Sequence, residues 1–433
     1  MGFMRRHRGV IGAALLVAAL AVPAAAQARP QGPDKAFRTP IAHGAAAAHA
    51  SVSRSKLAKG LAKLFRKVGK SGAFVFDPSS HQVLFSRKGG RMRILASNSK
   101  LFTASTALSR FGPDARLQTT AWSSDPISDG ISQGLYLRGG GDPTLSTAGL
   151  TKLADRVRAA GVTTVQGALR YDASFLDSQT GIPEHGITSE SVGRLSGLQI
   201  DNGSPSDPAK TAAQRFEDAL RKDGVSIGNS VTPATVSPGA LQVAGFASPT
   251  LADIVQDTLV PSNNYLAEML LKDVGGQFGS SGSTAAGLDV VRQFASKQGA
   301  RFNGENGSGL SRRNKASPAS TVKLLDSMIE VKAKDPAEQL DQERLRDAWI
   351  DSLAVAGRTG TVANRMRGTA AAGNCHLKTG TLTRVSALSG YCFRGGDDAD
   401  HAVIFSLLMN NVDVNRAHVI QDRMAALIAR YSR

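Results

Sequence analysis

Three short polar motifs, spread along 433 residues and each set in apolar surroundings, restrict the folds open to this chain. The first is Ser97-Asn98-Ser99-Lys100, followed by a helical stripe at Leu101, Ala104 and Leu108 that Gly112-Pro113 stops. The second is Ser262-Asn263-Asn264, after Val260-Pro261 and before a helical stretch over 265–272. The third is Lys378-Thr379-Gly380-Thr381 on an apolar strand. In chain order they predict helix, helix and strand.

Each motif carries a chemical reading. On a helix, residues three apart share a face, so the Lys100 ammonium can reach the Ser97 hydroxyl. A serine becomes a useful nucleophile once a base takes its proton, and a desolvated lysine can do so. Ser262 suits a proton relay between lysine and leaving group, and the Asn264 amide can hold a substrate carbonyl and orient Lys100. Lys378 can bind a carboxylate, Thr379 adds a hydroxyl, and Gly380 admits substrate to the backbone. Substrate would lie antiparallel along this strand, with the Ser97 and Thr381 amides as the oxyanion hole.

Competing matches rank lower. Ser53–Lys56 lies beside a polar leader, and Ser320–Lys323 follows Pro318, where Ser320 reads as a helix cap. Arg358-Thr359-Gly360-Thr361 resembles the third motif but sits among Gly and Ala rather than on an alternating strand. The eight histidines include no pair framing a glutamate, so no metal or other cofactor is expected. His376 reads as a packed or surface residue, and Asp142 and Arg312-Arg313 as either substrate contacts or folding residues of an insert.

The N-terminus reads as an export signal over 1–28. Arg5, Arg6 and Arg8 precede an apolar run over 10–22 and an Ala-x-Ala-type site. That run is shorter than the about 20 residues that span a bilayer. Residues 29–54 read as a disordered leader. Losing Arg5, Arg6 and Arg8 lowers the formal charge from +17 to +14. Such a balance in an exported protein favours an anionic wall polymer or membrane surface over nucleic acid, for which no binding signature appears. The two cysteines, Cys375 and Cys392, are centred on a turn at Thr383-Arg384, so a symmetric hairpin places them opposite each other as a disulfide.

Helical and strand patterns alternate along the rest. A helix over 55–70 leads into strands at 72–77 and 82–86. The texture then changes over 114–249, where short strands and helices suggest an inserted α+β subdomain. Strands at 376–382, 385–393 and 402–408 and a helix over 419–429 end the chain. Segments 55–113 and 250–433 therefore predict one α/β domain, a mostly antiparallel sheet flanked by helices, interrupted by the insert.

Together the motifs resemble the three signatures of penicillin-binding proteins and serine β-lactamases. The 165 residues between Ser97 and Ser262 resemble the D-alanyl-D-alanine carboxypeptidase/endopeptidase family, which bears an insert there. The runs from Leu137 through Gly139-Gly140-Gly141-Asp142-Pro143, from Gly307 through Ser308-Gly309-Leu310-Ser311, and from Val355 to Thr361 are similar to that family too. The resemblance implies acylation of Ser97 by the penultimate D-Ala of a peptidoglycan stem peptide, hydrolysis by water, and trapping of the same serine by β-lactams. It also implies an acidic residue where Asn306 stands. A β-lactamase would carry a Glu-x-x-Leu-Asn loop, and Glu184, Glu190 and Glu217 do not sit in one. A non-catalytic wall-binding protein on the same fold is the alternative from outside the enzymes.

Overall fold

The computed structural model describes residues 51–66, 68–177, 179, 192–393 and 402–431. The span read as an export signal and most of the span read as a leader therefore lie outside the described residues. Within the span assigned to the leader, Val52 is buried and its amide donates to the Arg430 carbonyl at 2.8 Å, so these last residues pack against the C-terminal helix.

The central sheet is antiparallel throughout and has six strands. Its order is Ala354–Val355, Cys375–Leu382, Val385–Cys392, Val403–Asn410, Lys70–Asp77 and Gln82–Arg87. The two ends of the chain thus meet in one sheet. Val385–Cys392 is buried at every position, because helices cover both faces and alternate side chains find apolar partners on either side. Ala387, Tyr391, Ile404 and Leu408 face one core, with Phe102, Leu270 and Leu325. Leu388, Phe405, Leu407 and Met409 face the other, with Leu57, Leu61, Met424 and Ile428.

The first helix, Arg54–Phe65, buries Leu57, Leu61 and Phe65 in that second core beside the last helix, Val414–Ile428. The last helix starts five residues before the expected 419, because the Asp413 carboxylate caps it by accepting from the Arg416 amide at 2.8 Å. Another cap also differs from expectation. Ser317, not Ser320, caps the helix Pro318–Ile329, and the Ser320 hydroxyl accepts from the Arg301 amide instead.

Residues 118–247 build a separate sheet. Gln118–Ser123 lies between Leu135–Gly139 and Leu241–Ala247, while Leu135–Gly139, Ile131–Ser132 and Ser226–Pro233 run parallel to Thr164–Asp172. Helices Thr147–Ala159 and Pro208–Lys222 cover it and supply its own apolar cluster, including Leu153, Val157, Phe216 and Leu220. The parallel pairs require crossover helices, which these two provide. Among the described residues, no helix is long and apolar enough to cross a membrane.

Candidate active site

The α-helix expected to begin near Ser97 begins two residues later, and Ser97 itself lies just before it. It occupies a 3-10 turn, Ala96–Asn98, immediately before the helix Ser99–Phe111. Ala96 enters that turn with φ +47°, a left-handed conformation that non-glycine residues adopt at a cost. Two glycines lock the turn in place. A Cβ on Gly309 would fall 1.9 Å from the Ala96 carbonyl oxygen, and one on Gly380 would fall 3.0 Å from the Ser97 nitrogen and 2.6 Å from the Leu95 oxygen. Gly380 therefore lets its own strand approach the serine turn, a tighter constraint than admission of substrate.

Lys100 is fully buried and all three of its donors are used. Its Nζ donates to Ser97 Oγ at 3.1 Å, Asn264 Oδ1 at 2.7 Å and the Ser308 carbonyl at 2.7 Å. Burial drives its pKa down to about 7, partly opposed by the Glu268 carboxylate. Such a lysine is a base at neutral pH. Asn264 can face it because Asn263 takes over the capping of the helix Asn264–Phe278, accepting from the Leu266 amide at 3.1 Å. Ser262, half-buried, precedes that helix with φ +66°.

On the third motif, Lys378 is fully buried and donates to the Thr379 carbonyl at 3.0 Å. Burial and then the charge of Lys100 hold its pKa well below the ordinary lysine value. Its side chain is thus shielded from solvent and lies within electrostatic reach of Lys100. Thr379 Oγ1 donates to Thr361 Oγ1 at 2.7 Å. Thr361 belongs to the Arg358-Thr359-Gly360-Thr361 run ranked low from sequence, which is now seen beside the third motif. Gly360 makes this approach feasible, since a Cβ there would fall 2.3 Å from the Val260 carbonyl. Thr381 is exposed at the strand end.

Sequence reasoning missed two supports. Asn98 donates to the Lys378 carbonyl at 2.9 Å and accepts from Ser389 Oγ at 2.7 Å, pinning the strand to the serine turn. Glu268 is buried and accepts from the Gly307 and Ser308 amides at 3.0 and 2.8 Å, which aims the Ser308 carbonyl at Lys100. Its signal was available: Glu268 lies four residues after Asn264 and so shares its helix face. Asn306, where an acid was expected, accepts from the Gly309 amide at 3.0 Å and from Asn314 Nδ2 at 2.8 Å. An amide oxygen suffices for both bonds, though Asn306 Nδ2 is buried without a partner.

Other expectations resolve simply. Cys375 and Cys392 are directly opposite in the hairpin and form a disulfide. His376 is packed, in contact with the Ile350 carbonyl and edge-on to Phe393. Asp142 turns inward to bond Thr144, and Arg312 bonds the Thr383 carbonyl. Glu217 pairs with Arg221, while Glu184 and Glu190 lie outside the described residues.

Comparison with known proteins agrees with this arrangement. The family model for the D-Ala-D-Ala carboxypeptidase 3 (S13) family matches residues 54–205 and 198–431. A D-alanyl-D-alanine carboxypeptidase from an Actinomadura species is 32% identical over 84% of this chain and 81% of its own length. Among solved structures, penicillin binding protein 4 from Haemophilus influenzae aligns with a TM-score of 0.68 at 20% identity, covering 84% of this chain and 97% of that one. A predatory peptidoglycan endopeptidase from Bdellovibrio bacteriovorus aligns at 0.52 and 16%, covering 82% and 91%. The match spans nearly every described residue from the first helix to the last, and on that ground the chain belongs to the D-Ala-D-Ala carboxypeptidase 3 (S13) family.

Proposed function

We propose that this protein hydrolyses D-Ala-D-Ala-type bonds of peptidoglycan stem peptides through an acyl-enzyme on Ser97. Neutral Lys100 takes the Ser97 proton as Oγ attacks the carbonyl carbon of the penultimate D-Ala. The amides of Ser97 and Thr381 receive the oxyanion. The C–N bond then breaks, and Lys100 returns the proton through Ser262 to the departing amine. Water enters, Lys100 accepts one of its protons, and the ester is hydrolysed to regenerate Ser97. Asn264 holds a substrate carbonyl. Thr379 and Thr361 offer hydroxyls to the substrate carboxylate, and Lys378, buried next to Thr379, completes this end of the site. Action is carboxypeptidase or endopeptidase according to whether a free D-Ala or a cross-linked amine departs.

The observation that carries this reading is the single lysine bonded at once to Ser97 Oγ and Asn264 Oδ1. Residues 114–249, with their own sheet and apolar cluster, are read as the inserted subdomain. The signal pattern places the protein outside the cytoplasm, where β-lactams reach it as covalent inhibitors. The cation surplus adds an anionic wall or membrane surface as a further partner.

The test is fluorescent penicillin with intact-mass readout on the native protein and Ser97→Ala. A single adduct on the native protein, absent from the variant, is expected. A folded native protein that neither labels nor turns penicillin over would overturn the assignment. Rapid loss of the adduct would instead identify a β-lactamase.

A further inference from the structure

Five cations of this chain gather around one cavity. It measures 440 Å³ and is lined by Lys70, Arg93, Arg312, Lys315 and Arg384, and no carboxylate is among its lining residues. Its walls come from five separate parts of the sequence, held by backbone pairing. Lys70 stands opposite Asn410 at the end of the central sheet, and Lys315 stands opposite Ile94 in a small three-stranded sheet. The Asn410 amide joins the two sheets, accepting from the Ile94 amide at 2.9 Å and donating to its carbonyl at 3.2 Å. Arg384 occupies the hairpin turn at φ +60°, with its Nε donating to Asn411 Oδ1 at 2.9 Å.

Elsewhere the arginines find acids, as in Arg313–Glu305, Arg344–Asp114 and Arg365–Asp422. The salt bridges among the described residues include none of the five pocket cations. Arg93 goes further. Its Nε is buried without a hydrogen-bond partner, although its Nη1 donates to the Met92 carbonyl at 2.9 Å. A buried charged donor left unpaired is unfavourable, and five like charges around one cavity repel one another. An anion carrying several charges relieves both penalties.

We propose that this cavity binds a phosphodiester-linked anionic polymer through Lys70, Arg93, Lys315 and Arg384, tethering the enzyme to the wall beside its substrate. Phosphate suits clustered arginines and lysines, because its oxygens accept several charge-assisted bonds at once. A chain of phosphodiesters matches the number of cations better than one carboxylate does. A bilayer fits worse, because the site is concave and none of the exposed large apolar residues (Val83, Leu241, Phe278, Leu340, Val419) lines it. Ile94 lies three residues before Ser97 and Arg384 three after Thr381, so the cavity adjoins the cleft. The inference rests on the anionic-partner reading of the charge and is independent of acylation by Ser97.

Titration calorimetry of the whole protein with a poly(glycerol phosphate) oligomer tests it, at low and at physiological salt. The variant Lys70→Gln/Lys315→Gln/Arg384→Gln is compared with Lys152→Gln/Lys210→Gln/Lys222→Gln, an equal charge change on exposed residues of the insert. The pocket variant is expected to bind at least about tenfold more weakly and the distant one less than about twofold, with a steeper salt dependence in the native protein. Both variants should label with penicillin at the native rate, which verifies that they fold.

Equal losses in the two variants, or no binding by the native protein, would overturn the proposal. Three further results also reject it. Inorganic phosphate binding as tightly as the oligomer would reduce the cavity to a single-anion site. Pocket-dependent binding to phosphatidylglycerol vesicles without oligomer binding would assign it to a membrane. Displacement of the oligomer by a free stem peptide would assign its cations to substrate.

Discussion

The Ser308 carbonyl lies 2.7 Å from Lys100 Nζ and is aimed there by Glu268, which accepts from the Ser308 amide at 2.8 Å. A carboxylate that does not itself contact Ser97 therefore sets the position of Lys100, the proposed general base. Glu268→Gln replaces one accepting oxygen with an NH₂ group that faces an amide donor. We expect penicillin acylation to slow by about 10- to 100-fold, as for a misplaced catalytic group. Glu268 raises the pKa of Lys100. Its neutralisation should therefore move the acid limb of the acylation profile to lower pH, a shift that a purely structural defect would not produce.

The native acylation rate should itself rise with pH to a plateau. Lys100 is half-neutral at about pH 7, and only the neutral amine can take the Ser97 proton. Below that midpoint the rate should drop by about tenfold per pH unit. Stopped-flow labelling between pH 5 and 9 checks this. A rate flat across that range would show that Lys100 is not the base.

Gly309 and Gly380 meet the serine turn from opposite partners, so alanine at either position should disturb both fold and chemistry. Gly309→Ala is the more severe, since φ is +86° and the added carbon meets the Ala96 carbonyl at 1.9 Å. We expect a loss of about 2–4 kcal/mol in denaturant unfolding, from positive-φ strain together with overpacking. Gly380→Ala should slow acylation while costing less stability, because its closest approach is 2.6 Å.

Asp273 is fully buried, and neither of its carboxyl oxygens has a hydrogen-bond partner. Burial, then the charge of Asp142, raises its pKa well above the ordinary value of 3.8. The folded state thus holds a proton that the unfolded chain releases above about pH 4. Its stabilising contribution is complete below that pH and is lost as pH rises toward the folded-state value. Asp273→Asn removes the titration. The stability difference between variant and native protein should move in favour of the variant as pH rises from about 4, with a slope of up to about 1.4 kcal/mol per unit. Denaturant unfolding at pH 4, 6 and 8 measures it.

Periodicity and short-range chemistry were enough to locate the central strands, the helix behind Ser97, the disulfide hairpin and the members of all three motifs. These features depend on residues within a few positions of one another. The alternation around Leu377 and Leu388, the stop at Gly112-Pro113 and the two-residue turn at Thr383-Arg384 each state their structure locally. Other features depend on contacts between segments far apart in the chain. Thr361 meets Thr379 only because the segment around Gly360 docks on Val260. Asn98 reaches Lys378 across 280 residues. Lys378 proves to be fully buried, and no local pattern records that. Local sequence could pair Ser97 with Lys100, because side chains three residues apart meet across a single turn of backbone. Their electrostatics, above all a lysine brought down to about 7, arise from desolvation by several segments at once and exist only in the folded molecule.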